Sequence, residues 1–140
     1  MSENVIDTST AAELTKEAHK ARERAYAPYS GFKVGAALLF DDDSIVSGCN
    51  VENASYGLSL CAERNAMTTA VSLGKKRPVA AAVVGEKGRL CPPCGACRQF
   101  LAEFNPNMII ILEQKDAVMT YKLSELLPVS FSENDMEAAE

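Results

Sequence analysis

The chain has 140 residues, 47% of them hydrophobic, which is enough for one ordinary domain to bury a core without covalent staples. Its formal net charge of −5 argues against a nucleic-acid polymer as partner, because phosphate-backbone contacts need a positive surface. The longest apolar runs, "VAAAVV" and "MIIIL", are far too short for a bilayer span, so no membrane partner is expected and a small uncharged or cationic molecule fits best.

No repeat or linker divides the sequence, so a single domain over residues 1–140 is expected, with a loose acidic tail from about residue 132. Thr10 to Glu13 has the form of a capping box and predicts a helix carrying Leu14, Ala18, Ala21 and Ala25, stopped before Pro28. Residues 33–40 and 44–51 read as two strands joined at Asp41 to Asp43. Residues 61–73 read as a helix closing at Gly74, residues 79–84 as a buried strand, and residues 85–88 as a turn. A further helix is predicted from about Cys94 to Phe104, because Cys97, Phe100, Leu101 and Phe104 share one face. Residues 108–112 give another buried strand, and "LSELL" a short helix stopped by Pro128. Hairpin, helix, strand, helix, strand in that order implies a mixed sheet with helices on both faces.

Three of the five cysteines lie in "LCPPCGACRQF", residues 90–100. The odd count, and an N-terminus lacking the basic and apolar segments of an export signal, point to the cytoplasm and reduced thiols. Cys94 and Cys97 fall three apart at the start of a helix, and Cys61 opens the other helix. Helix N-termini favour thiolates, and thiolates bind metal. Three such ligands would hold zinc with one position open for water, which is a catalytic arrangement. Adding Cys91 would close the site into a structural one, but Pro92-Pro93 favours an extended segment over the tight turn this needs. A redox C-x-x-C pair is a further alternative, and it leaves Cys61 unexplained.

Glu63, two positions after Cys61, can share a site with it only if that site lies off the helix end. Alone it reads equally well as an acid favoured by the helix dipole. Zinc with three thiolates carries a net charge of about −1, so a neighbouring cation is needed; Arg64 is preferred over Arg98, which is expected to be a solvated surface charge, and Gln99 is also nearby. Asn50 and Glu52, two apart in an extended stretch, point to one face. His19 and Cys49 are assigned no role, Cys49 being expected as a buried strand thiol.

"CAER" followed by "PCGACRQ", with "NVENASYG" just before, closely resembles the small zinc-dependent cytidine deaminases that act on free nucleosides. The zinc-deaminase signature and its three-cysteine variant are a known pattern, so this is recognition by motif. The resemblance runs from "AYAPYSGFKVGAALL" to "LLPVSF". It implies a three-layer α/β/α sandwich around a mixed five-stranded sheet, a homotetramer, and conversion of cytidine and deoxycytidine to the uridines. It makes Cys61, Cys94 and Cys97 the ligands of one zinc per chain, and Glu63 the residue that moves a proton from water to ring N3 and then toward the departing amine. It assigns Asn50 and Glu52 to the sugar, Phe32 and Ala62 to the base pocket, Ala54 and Tyr56 to the 5′ side, and Phe131 to a neighbouring subunit's pocket. Pro92 departs from the Ser frequent there in the family. A deaminase of another aminated heterocycle and a non-catalytic zinc module remain as alternatives.

Overall fold

The computed structural model describes residues 6–86, 88–115 and 117–137. Its first helix, α1 (Thr8–Arg22), starts earlier than the sequence suggested. Asp7 is the cap, extended at φ −73° and ψ 163°, and its carboxylate accepts from Thr10 N at 2.7 Å. Aspartate caps at least as well as threonine, so the helix gains a turn and Thr10 falls inside it. It also ends earlier, tightening through Arg24 N to Ala21 O and Ala25 N to Arg22 O, which leaves Ala25 outside.

The hairpin forms as expected from β1 (Gly35–Phe40) and β2 (Ile45–Cys49). It reverses through Asp43 at φ 69°, a conformation that aspartate tolerates. Then follow α2 (Ala62–Ser72), β3 (Pro78–Val84), α3 (Gly95–Ala102), β4 (Ile109–Gln114), β5 (Ala117–Lys122), α4 (Leu123–Leu126) and α5 (Glu133–Glu137). The turn expected over residues 85–88 includes Lys87, which lies outside the described residues. The five strands form one mixed sheet in the order β2-β1-β3-β4-β5, with β3 and β4 parallel and the other neighbours antiparallel.

Alternation along the strands divides the core between the two faces of the sheet. Ala36, Leu38, Ala81, Val83, Ile110 and Leu112 pack with Ala66 and Met67 of α2 and Leu101 of α3. Ala37, Ala80, Ala82, Ile109 and Ile111 pack on the other side against Ala11, Leu14 and Ala18 of α1. Because both faces are covered, the central strands read as continuous apolar runs. The result is a three-layer α/β/α sandwich.

Two elements depart from what the residues alone suggested. The strand β5 was implied only by the family resemblance, because Ala117 to Thr120 are exposed at the sheet edge and Lys115-Asp116 lacks the Gly or Asn of a hairpin signal. The acidic tail carries a short helix that the sequence did not suggest, α5, entered through a hydrogen bond from Ser132 N to Asp135 Oδ2 of 2.7 Å; residues 138–140 lie outside the described residues.

The contact that orients the site is between β2 and α2. A Cβ on Gly48 would lie 2.5 Å from Ala66 N and 2.6 Å from Asn65 Oδ1, so only glycine lets the helix lie this close. Asn65 Oδ1 also accepts from Cys49 N at 3.0 Å, which locks the helix to the strand. Gly48→Ala is therefore expected to lose about 1–3 kcal/mol of stability in urea denaturation, the usual cost of overpacking. An unchanged midpoint would mean that α2 is free to shift.

Candidate active site

The site lies where the chain leaves β2 and β3, at the N-termini of α2 and α3. Cys61 is the N-cap of α2 (φ −73°, ψ 155°) and Cys94 the N-cap of α3 (φ −69°, ψ 171°). Neither sulfur caps its own helix, so both are free to face the space between the two helix ends. Cys97 lies one turn into α3 and is fully buried. The three sulfurs lie within 4.8 Å of one another. Tetrahedral zinc, with Zn–S bonds of about 2.3 Å, sets its sulfurs about 3.8 Å apart, so this donor set fits such an ion.

A hydrogen bond from Cys97, aided by Arg64, draws the Cys61 thiol down. The same bond, reinforced by burial, pushes the Cys97 thiol up. Arg64 Nη2 lies 3.5 Å from Cys61 Sγ, and its buried Nε has no hydrogen-bond partner. The guanidinium thus sits beside one sulfur of the cluster.

Cys91 stands apart. It is not in the sulfur cluster; its Sγ packs toward Gly85, where a Cβ would come within 2.8 Å of it. Burial pushes its thiol up to about 11. It nonetheless lines the adjoining cavity, a position that the sequence did not suggest.

Glu63, on the first turn of α2, is 4% exposed, and burial pushes its carboxyl up to about 7. It lines a cavity of about 320 Å³ together with Cys61, Ala62 and Cys94. That volume is at the small end for ligand pockets, which span roughly 300–1,000 Å³. The facing wall comes from Phe32, Asn50 and Glu52. Phe32 is 44% exposed and belongs to the cavity, not to the core. Asn50 and Glu52 do share one face, and both tie down the segment opposite: Asn50 Oδ1 accepts from Val34 N at 2.8 Å, and Glu52 Oε1 from Tyr29 N at 2.9 Å.

Three candidates lie elsewhere. Tyr56 lines a neighbouring cavity of about 390 Å³ with Tyr29, Ser30, Glu52 and Ser59, because a 3₁₀ turn over Tyr56–Leu58 carries it outward. Ala54, on the same outward loop, is exposed and lines neither cavity. Phe131 is 62% exposed beyond α4, and its carbonyl accepts from Gln99 Nε2 at 2.8 Å. Arg98 is also not the solvated charge expected: its Nε donates to Pro93 O at 2.8 Å and its Nη1 to Leu126 O at 2.6 Å, tying the entrance of α3 to the end of α4. Cys49 is half-buried, and His19 pairs with Glu113 at 2.7 Å, away from the site. Ser30, absent from the expected set, lines both cavities. Its only sequence signal was the Ser-Gly turn before Phe32.

Fold and site together define a class: an α/β/α protein with a metal-binding thiol cluster beside a buried carboxylate. The family model for the cytidine and deoxycytidylate deaminase zinc-binding region matches residues 8–113. The chain belongs to this zinc-binding deaminase family. It is 50% identical over 125 residues to the cytidine deaminase of Halalkalibacterium halodurans, covering 88% of this chain and 95% of that one. It is 47% identical to the cytidine deaminase of Sporosarcina psychrophila, covering 90% and 94%. The crystal structure of cytidine deaminase from Burkholderia pseudomallei matches with a TM-score of 0.81 at 47% identity, over 86% of this chain and 98% of that one. Among the described residues, no helix is long and apolar enough to cross a membrane.

Serine in place of Cys61, Cys94 or Cys97 is expected to abolish zinc retention by the purified protein, whereas Cys91→Ser should keep one zinc per chain. Metal analysis of the four variants decides this. Loss of zinc from the Cys91 variant would restore the closed four-cysteine alternative.

Proposed function

We propose that this chain catalyses the hydrolytic deamination of cytidine and deoxycytidine to uridine and deoxyuridine, releasing ammonia. The observation that carries this reading is Glu63, a carboxylate buried on the wall of the cavity that meets the thiol cluster. Cys61, Cys94 and Cys97 hold one zinc ion, which when bound supplies a Lewis acid able to make a water molecule acidic near neutral pH. Glu63 takes the proton from the attacking water, delivers it to N3 of the pyrimidine, and then assists the amine at C4 to leave. A carboxyl poised at about 7 can both accept and give a proton at neutral pH, which is what a shuttle requires. Phe32 and Ala62 flank the base, and Asn50 and Glu52 grip the 3′-hydroxyl. With no residue assigned to the 2′ position, ribose and deoxyribose are both accepted. The reading makes the protein a cytoplasmic enzyme of pyrimidine salvage, where its thiols stay reduced.

The working form is a homotetramer. In keeping with this, Tyr56, Leu58 and Phe131 are 76%, 71% and 62% exposed, apolar side chains that a subunit contact would cover. Phe131 reaches a neighbour's nucleoside pocket, so Phe131→Ala is expected to raise KM for cytidine while leaving zinc content unchanged. A parent protein that sediments as a fully active monomer would contradict this assembly.

Glu63→Ala separates an enzyme from a zinc module. Zinc content and folding should stay near those of the parent, while turnover of cytidine, followed by ultraviolet absorbance, falls by at least the roughly 10²–10⁴-fold of one general acid–base contribution. A rate within a few-fold of the parent would reduce Glu63 to a helix-end acid.

A further inference from the structure

Ser30 lies at the junction of the two cavities, and every hydrogen-bonding capacity of its hydroxyl that the structure records is spent on the site's own walls. The Oγ donates to Glu52 Oε2 and accepts from Phe32 N at 2.9 Å. Its backbone N donates to Glu52 Oε1 at 3.1 Å, where Tyr29 N also donates. A hydroxyl has one proton, and that proton is committed to Glu52. The carboxylate is therefore held by three donors, two on Oε1 and one on Oε2, and a free lone pair remains on Oε2. These bonds, the one from the Ser30 hydroxyl foremost, hold the Glu52 carboxyl below its usual range.

Asn50 is spent in a similar way. Its Oδ1 accepts from Val34 N and its Nδ2 donates to Phe32 O at 2.9 Å, which leaves one N–H of the amide. One open acceptor on Glu52 and one open donor on Asn50 complement a single hydroxyl, which needs one of each. Because Glu52 is a short-range acceptor with rotatable bonds of its own, that match depends on what fixes its second oxygen.

We propose that Ser30 is a positioning residue for sugar recognition: its hydroxyl, anchored by the Phe32 N–H, orients the Glu52 carboxylate so that the remaining lone pair of Oε2 stays open to the substrate's 3′-hydroxyl. The inference rests on the cytidine deaminase reading and names a determinant of its specificity. Through the same hydroxyl the sugar contact is coupled to the backbone of Phe32, the aromatic beside the base.

The test compares the parent, Ser30→Ala and Ser30→Thr on cytidine and on 3′-deoxycytidine, which lacks the hydroxyl at issue. For Ser30→Ala, kcat/KM on cytidine should fall by about tenfold more than on 3′-deoxycytidine, the scale of a hydrogen bond to a charged group, with the loss carried mainly by KM. Ser30→Thr, which keeps the hydroxyl, should stay within a few-fold of the parent on both. Equal losses on the two nucleosides, from a misplaced loop or a poorly folded protein, would make Ser30 a structural residue and overturn the proposal. So would a Ser30→Ala variant indistinguishable from the parent. A parent that deaminates neither nucleoside would overturn the deaminase reading itself, a result distinct from either of these.

Discussion

Two positive helix ends meet at one point in this molecule, and the rest of the structure is arranged around that meeting. The N-termini of α2 and α3 each carry unpaired N–H groups and a partial positive charge, so bringing them together is unfavourable unless anions lie between them. The chain places cysteine at both N-caps and a third cysteine one turn inside α3, three thiols that binding a metal would convert to the anions such a junction favours. A bound cation completes this balance, and Arg64 beside Cys61 bears on the same charge from the other side.

The sheet is what makes the meeting possible. Gly48 lets α2 lie against β2 at backbone contact distance, and the parallel pair of β3 and β4 obliges the chain to cross over through α3 on the same face. Both helices consequently start from the same edge of the layered core. Glu63 is buried by this geometry and not by its own chemistry. An acid on the first turn of a lone helix would be solvated, but here the second helix covers it and drives its proton affinity toward neutrality.

The opposite wall of the cavity solves a different problem. The segment from Tyr29 to Val34 has no regular secondary structure to satisfy its N–H groups, and Asn50 and Glu52 accept from three of them, those of Tyr29, Ser30 and Val34, from the stretch beyond β2. Polar side chains that could serve only a ligand are thus also the scaffold of the loop facing it. What the pocket offers a substrate is the remainder after these internal bonds are counted, which makes a loop residue such as Ser30 part of the recognition problem.

The sequence by itself determined the local chemistry and most of the elements. Its apolar runs located the central strands, its cysteine spacing put Cys94 and Cys97 on one side of a helix start, and the "CAER" and "PCGACRQ" strings carried the family. These signals are short in range, and helix ends and strand alternation are local properties. Only the tertiary structure decided what depends on distance across the chain. It set Cys91 against Gly85 and outside the sulfur cluster, turned Arg98 from a surface charge into a tether between Pro93 and Leu126, and left Tyr56 and Phe131 outside the cavity that Glu63 lines. It also made a strand of residues 117–122, of which Ala117 to Thr120 are exposed and carry no core pattern, by offering them β4 as a partner for backbone hydrogen bonds.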